Sequence, residues 1–178
     1  LGDGDIAAAK ITKFPEEWKN PECAVVKILK GLDSIPAIAQ FVEYKYNLPL
    51  RFRQKTESEA KSLRLDDEIE QDRTDLRMLR HVTIDGEYAK DFDDAVSITR
   101  TKGGYTLYVS IADVSHYVLP SSGIDREAYE RGTSVYFPGK VLPMIPKALS
   151  NVLCSLNPDE DRLTMTATMH FTKDGDLT

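Results

Sequence analysis

Between Thr83 and Val96 the chain reads TIDGEYAKDFDDAV, which places four carboxylates, Asp85, Asp91, Asp93 and Asp94, among the apolar anchors Ile84, Phe92, Ala95 and Val96. Carboxylates this close repel one another, so they splay into water, raise each other's pKa or take up a cation. Phe92 and Val96, residues that belong in a core, oppose splaying. Hard divalent cations such as Mg²⁺ accept oxygen ligands and suit a few Asp side chains that leave positions for water or substrate. The plain alternative is an acidic loop with no ligand. A calcium loop is excluded by the spacing, because Gly86 directly follows Asp85 and no Glu closes the pattern. An aspartyl-phosphate nucleophile is disfavoured as well, since Tyr88, Ala89 and Lys90, not an apolar strand, precede Asp91. What remains is a metal cluster held by a strand end, a turn and the start of the next strand.

The elements that must position it are legible on the downstream side. Val96 to Thr99, a turn at Lys102-Gly103-Gly104 and Tyr105 to Val114 predict a β-hairpin, with Leu107, Val109 and Ile111 alternating with Thr106, Tyr108 and Ser110. Ser121 or Ser122 caps a short helix through Tyr129 that Gly132 ends, and Pro146 opens another through about Leu153. Met165, Ala167, Met169 and Phe171 alternate with Thr164, Thr166, Thr168 and His170, a half-exposed strand running into a turn at Lys173-Asp174-Gly175. Its return strand is missing, so the chain is expected to be a fragment of a longer domain.

Upstream, Ile6 to Ile11 and Ala24 to Leu29 predict short strands, with Phe14-Pro15 and Asn20-Pro21 marking the loop between them. Asp33 or Ser34 caps a helix entered at Pro36, in which Ile38, Phe41, Val42 and Lys45 are expected to face inward, with Asn47 and Pro49 as stop signals. Thr56 to Leu63 reads as a helical linker, and Arg64 to Arg80 is highly charged with little periodicity. These pieces look like the tail of a small β-domain.

The 178 residues, 41% of them hydrophobic, can build one or two cores. No apolar run approaches a membrane span and no signal-peptide pattern opens the chain, so a cytoplasmic protein is expected. Cys23 and Cys154 are far apart and form no C-x-x-C, which excludes a disulfide framework or zinc site and leaves two inert thiols, Cys154 as a buried small hydrophobe. The net charge of −6 hides an asymmetry: residues 1–64 carry 11 Lys and Arg against 9 Asp and Glu. Arg51, Arg53, Lys55, Lys61 and Arg64 form a basic stretch at the junction, and Arg51 and Arg53 are candidate RNA contacts.

The stretch TIDGEYAKDFDDAV, followed by IADVSHYV (Ile111 to Val118), GIDREAYERGTSVYFPGKVLPMIPKALSNVLCSLNP (Gly123 to Pro158) and DRLTM (Asp161 to Met165), closely resembles the catalytic-domain opening of the ribonuclease II/ribonuclease R family. TSVYFP and LSNVLCSL favour the ribonuclease R branch, and Ile6 to Phe52 resembles the end of the cold-shock domain that precedes it. The resemblance implies an α+β chain. Residues 1–64 would be the end of an OB-like β-barrel (cold-shock) domain plus linker, and residues 65–178 the N-terminal part of a mixed α/β RNB catalytic domain. It implies Mg²⁺-dependent processive hydrolysis of single-stranded RNA from its 3′ end to nucleoside 5′-monophosphates, with Mn²⁺ as an alternative ion and no protein partner inferable. Position by position it makes all four Asp metal ligands, Asp85 and Asp94 the firmest, with Asp93 and Asp91 catalytic. It makes Tyr136 a base-stacking aromatic, leaves His116 structural, and brings Arg131 either to phosphate or to Asp125 or Glu127. Two rival readings are a non-catalytic RNA-binding module and a metal-dependent phosphohydrolase that does not act on RNA.

Overall fold

The computed structural model describes residues 2, 5–29, 32–65 and 73–178, so part of the charged segment, 66–72, lies outside the described residues. The chain groups into two compact units, Leu1–Arg51 with Val135–Leu142, and Phe52–Ser134 with Pro143–Thr178.

In the first unit β1 (Ile6–Lys13) and β2 (Glu22–Leu29) form an antiparallel hairpin, close to the predicted bounds. The two strands are a hairpin, and no closed barrel is formed by the described residues. Ser34 caps α1 (Ile35–Lys45), its hydroxyl accepting from the Ala37 N–H at 3.4 Å, and Pro36 occupies the first turn, where it sacrifices no helical hydrogen bond. The inward face differs from the one expected. Ala39 and Glu43 are buried while Ile38 and Lys45 are exposed, because the Lys140 ammonium, at 2.5 Å, neutralises the Glu43 carboxylate. That lysine comes from the short hairpin β5 (Val135–Phe137) and β6 (Lys140–Leu142).

The second unit is built on an antiparallel sheet in the order β3 (Asp94–Arg100), β4 (Gly104–Ala112), β7 (Thr164–Thr172). Gly104 is required where β4 meets β7: its φ is +156°, and a Cβ there would lie 1.9 Å from the Phe171 carbonyl oxygen. After the turn at 173–175 the chain begins to return, Leu177 bridging to Phe171. The alternation is as predicted, but the buried face is the polar one. Ser97, Thr106 and Ser110 are buried, with Ser110 Oγ bonded to Thr166 Oγ1 at 2.9 Å and to His81 Nε2 at 3.3 Å. Ile98, Ile111 and Met165 lie exposed on the other face. Hydroxyl ladders satisfy their own donors and acceptors, which lets a polar face be buried without penalty.

The expected linker is a packed helix. The second helix, α2 (Gln54–Ser62), buries Thr56 and Ala60 and packs on α4 (Gly123–Arg131), small side chains allowing close approach. It has no side-chain cap of its own, and the Glu127 carboxylate of α4 accepts from the Arg53 N–H at 3.1 and 3.3 Å instead. Ser122 caps α4 and Gly132, at φ +73°, ends it. The four-residue α3 (Val114–Tyr117), a π-helical turn (Leu149–Leu153) and Cys154 complete a core around Ala60, Ala112, Tyr117, Ile124 and Leu149.

Candidate active site

The four carboxylates lie within a loop closed at its base by Val82 and Val96, whose backbone groups exchange two hydrogen bonds of 2.9 Å. Asp85 is on the exposed outer part, Asp91 and Asp93 on the returning limb, and Asp94 opens β3. The returning limb is tied down on both sides. The Asp93 carbonyl accepts from the Ala112 N–H and the Phe92 carbonyl from the Leu156 N–H, each at 2.9 Å. Of the expected anchors Ala95 is buried and Phe92 and Val96 are half-buried, but Ile84 is 87% exposed and anchors nothing, as it rides on the open part of the loop.

Asp93 is the electrostatic centre of the group. Partial burial raises its pKa, and the charges of Asp91, Asp94 and Asp85 raise it further. No three His, Cys, Asp or Glu side chains among the described residues are gathered tightly enough to enclose an ion. The two observations agree, because like-charge repulsion reaches well beyond the ~2 Å of a Mg²⁺–oxygen contact. The donor set nevertheless fits Mg²⁺, an ion that keeps several waters and is held by one or two carboxylates together with substrate phosphates.

Next to the loop lies a buried polar group that spacing did not single out. Asp113, at the end of β4, caps α3 through the His116 N–H, accepts from Ser115 Oγ at 2.7 Å and pairs with Arg73 at 2.7 Å. Burial pushes its pKa up, but the Ser115, Arg73 and His116 donors outweigh it and hold the carboxyl below the ordinary range. His116 stands edge-on to Tyr117, with ring centroids 5.0 Å apart, in keeping with a structural role. Cys154 is buried, and burial followed by the Asp93 and Asp113 charges pushes its thiol up to about 11, so it is an inert hydrophobe there. Cys23, by contrast, is exposed.

The other candidates lie on other elements. Arg131 turns inward: its guanidinium pairs with Glu127, not Asp125, at 3.0 Å, stacks 3.6 Å over Phe52 and is 3% exposed. Of the alternatives open to it, Arg131 thus takes the pairing with Glu127, and a buried, paired guanidinium is not offered to phosphate. Arg53 pairs with Glu130 at the surface of the same unit. Tyr136, on β5, and Arg51 belong to the other unit, where Arg51 is exposed and Tyr136 is 64% exposed.

A clamped acidic loop at the head of an antiparallel sheet thus gathers four carboxylates, with burial and the charges of the other three raising the pKa of Asp93. Residues 73–178 match the RNB domain, and the chain belongs to that family. It is 46% identical over 172 residues to ribonuclease R of Thermotoga maritima, covering 94% of this chain and 24% of that protein. It is 42% identical over 178 residues to ribonuclease R of Escherichia coli, covering 98% and 22%. The chain therefore spans about a quarter of the length of these curated relatives. Its structure superposes on Mycoplasma genitalium RNase R in complex with double-stranded RNA with a TM-score of 0.90 at 32% identity, over 100% of this chain and 32% of that one. A likeness to yeast Ssd1, a pseudonuclease, at a TM-score of 0.71 and 20% identity is one of fold alone.

Proposed function

We propose that this chain carries the metal-binding part of a processive, hydrolytic 3′-to-5′ exoribonuclease that releases nucleoside 5′-monophosphates from single-stranded RNA. The observation that carries the reading is the carboxylate loop itself, lying within the RNB match with Asp93 loaded by three like charges. Asp85 and Asp94 would hold Mg²⁺, or Mn²⁺ in its place; Asp91 supports the same site and Asp93 is the carboxylate whose loss stops the reaction. Bound divalent cations supply an activated water and offset charge on the phosphoryl oxygens. The chain's own contribution is to keep the carboxylates gathered before substrate arrives, so that little rearrangement is needed in the reaction. The clamp at Val82, Ala112 and Leu156 does this. Tyr136 offers an exposed ring for stacking a base near the 3′ end, and Arg51 and Arg53 offer positive charge to phosphates. The preceding residues, 1–64, are read as the end of an OB-like RNA-binding domain, and an exposed unpaired Cys23 suits the reducing cytoplasm.

The test is Asp93→Asn in the natural full-length protein. Asn keeps the shape and removes one charge, so single-turnover cleavage of labelled single-stranded RNA should fall by more than about a thousandfold, roughly 4 kcal/mol in the barrier. Gel-shift affinity for the same RNA should be unchanged. Cleavage within about tenfold of wild type, a barrier difference of ~1.4 kcal/mol, removes Asp93 from the catalytic role. Binding of RNA without cleavage by the wild-type protein would turn the reading to a non-catalytic RNA-binding module.

A further inference from the structure

We infer that Ser155 is a positioning residue for the carboxylate loop, setting the backbone of Asp91 and through it the cation site; this rests on the metal-dependent reading above. Ser155 is fully buried, at 0% exposure, and follows the π-helical turn, which the Cys154 N–H closes onto the Leu149 carbonyl at 2.8 Å. Its hydroxyl accepts from the Phe92 N–H at 3.1 Å and donates to the Lys90 carbonyl at 3.1 Å, with Asn157 Oδ1 a second acceptor at 3.3 Å. Those two backbone groups flank a single α-carbon. The Lys90 carbonyl belongs to the planar peptide on the N-terminal side of Asp91 and the Phe92 N–H to the one on its C-terminal side. One hydroxyl bridging both therefore fixes φ and ψ of Asp91, and so the direction in which its side chain leaves the backbone. The serine cannot yield easily, because Arg162 Nε grips its carbonyl at 2.8 Å and the Val152 carbonyl at 3.0 Å, while the next residue's N–H holds the Phe92 carbonyl. An alanine here would keep the packing, leave the Phe92 N–H and Lys90 carbonyl without this partner, and release the Asp91 backbone.

The experiment reads Mn²⁺ binding directly, by electron paramagnetic resonance of the free ion, in the natural full-length protein. Wild type is compared with Ser155→Ala, Ser155→Cys, Asp85→Asn and, as a control destabilised in the core away from the loop, Ile124→Val. Ser155→Ala should bind Mn²⁺ about tenfold more weakly or worse, the scale on which partners that orient ligands act, while Ile124→Val binds as wild type. Ser155→Cys, of similar size but a poor hydrogen-bond former, should behave like Ser155→Ala and takes its place if the alanine variant does not fold. Mn²⁺ affinity of the serine variants within about twofold of wild type overturns the inference, well inside the range that loss of such a partner produces. Equal weakening in Ile124→Val overturns it too, since general destabilisation would then suffice. If Asp85→Asn weakens Mn²⁺ binding and the serine variants do not, only the role of Ser155 falls. If Asp85→Asn leaves binding unchanged, the metal-dependent reading falls first and the inference with it.

Discussion

At the scale of single residues, burial and charge assign tasks that residue type alone leaves open. Asp93 and Asp113 are both carboxylates beside the same core, yet one is pushed up by burial and its acidic neighbours and the other held down by its donors. Only the first is crowded by like charges. Tyr117 poses the opposite problem, a buried hydroxyl without a hydrogen-bond partner among the described residues. Its pKa is raised, first by burial and then by Cys154. An unpartnered hydroxyl is a standing cost, so Tyr117→Phe is expected to stabilise the second unit by about 1 kcal/mol, read from paired thermal melts. Destabilisation of that size would mean that the hydroxyl has a partner after all. The acidic cluster was legible in the sequence because its members are close along the chain. Ser155 and Arg73 were not, because each reaches its partner across a long stretch of chain, 63 residues from Ser155 to Phe92 and 40 from Arg73 to Asp113.

At the scale of elements, periodicity located strands and helices well, while the choice of buried face escaped it. Period-two alternation along β4 and β7 says that two faces differ, and hydrophobicity nominates the apolar one for burial. Here the hydroxyl face is covered, because Ser110, Thr166 and His81 satisfy one another. The helix read as a linker was misjudged for a related reason: α2 has few apolar residues, and what holds it is Glu127 of α4 at its N-terminus. Burial alone would raise the Glu127 pKa, but Thr56, Arg131 and the Arg53 N–H hold it below the ordinary value. A depressed folded-state value means that the carboxylate stabilises the fold above the unfolded-state pKa of about 4.3 and loses that contribution as the pH falls through the folded value. Glu127→Gln, which leaves the buried Arg131 without its counter-charge, should therefore cost about 3–5 kcal/mol at pH 7. The gap to wild type should shrink steadily below about pH 4.3. Circular dichroism melts across that range check it, and a gap independent of pH would place the loss in packing.

At the scale of the whole molecule, the proposed reading asks the second unit for a phosphoryl-transfer site, of which it supplies the carboxylates. Such reactions need positive charge at the transferred group as well as carboxylates for the ions, and one well-placed arginine is worth about 10³–10⁵ in rate. The arginines of this unit with charged partners are already engaged: Arg53 with Glu130 at the surface, Arg73 with Asp113, Arg77 with Asp75 and Asp161, Arg131 with Glu127, and Arg162 with Glu160. Drawing one of them to a phosphate would strand its carboxylate, in the Arg131 case a buried one. One face of the sheet carries exposed apolar side chains, Ile98 at 63% and Met165 at 66%. The relatives are about four times as long as this chain, and the proposed reading puts the further positive charge in the part of them that it does not match. The 178-residue chain, given saturating Mg²⁺ and a labelled single-stranded RNA, should therefore release mononucleotides at least about a thousandfold more slowly than full-length Escherichia coli ribonuclease R, the lower end of what one transition-state arginine supplies. Mn²⁺ binding measured on the same sample separates an intact but underpowered site from an unfolded one. Release within about tenfold of the full-length enzyme, a deficit of only ~1.4 kcal/mol, would mean that the residues present already hold the cations the reaction needs.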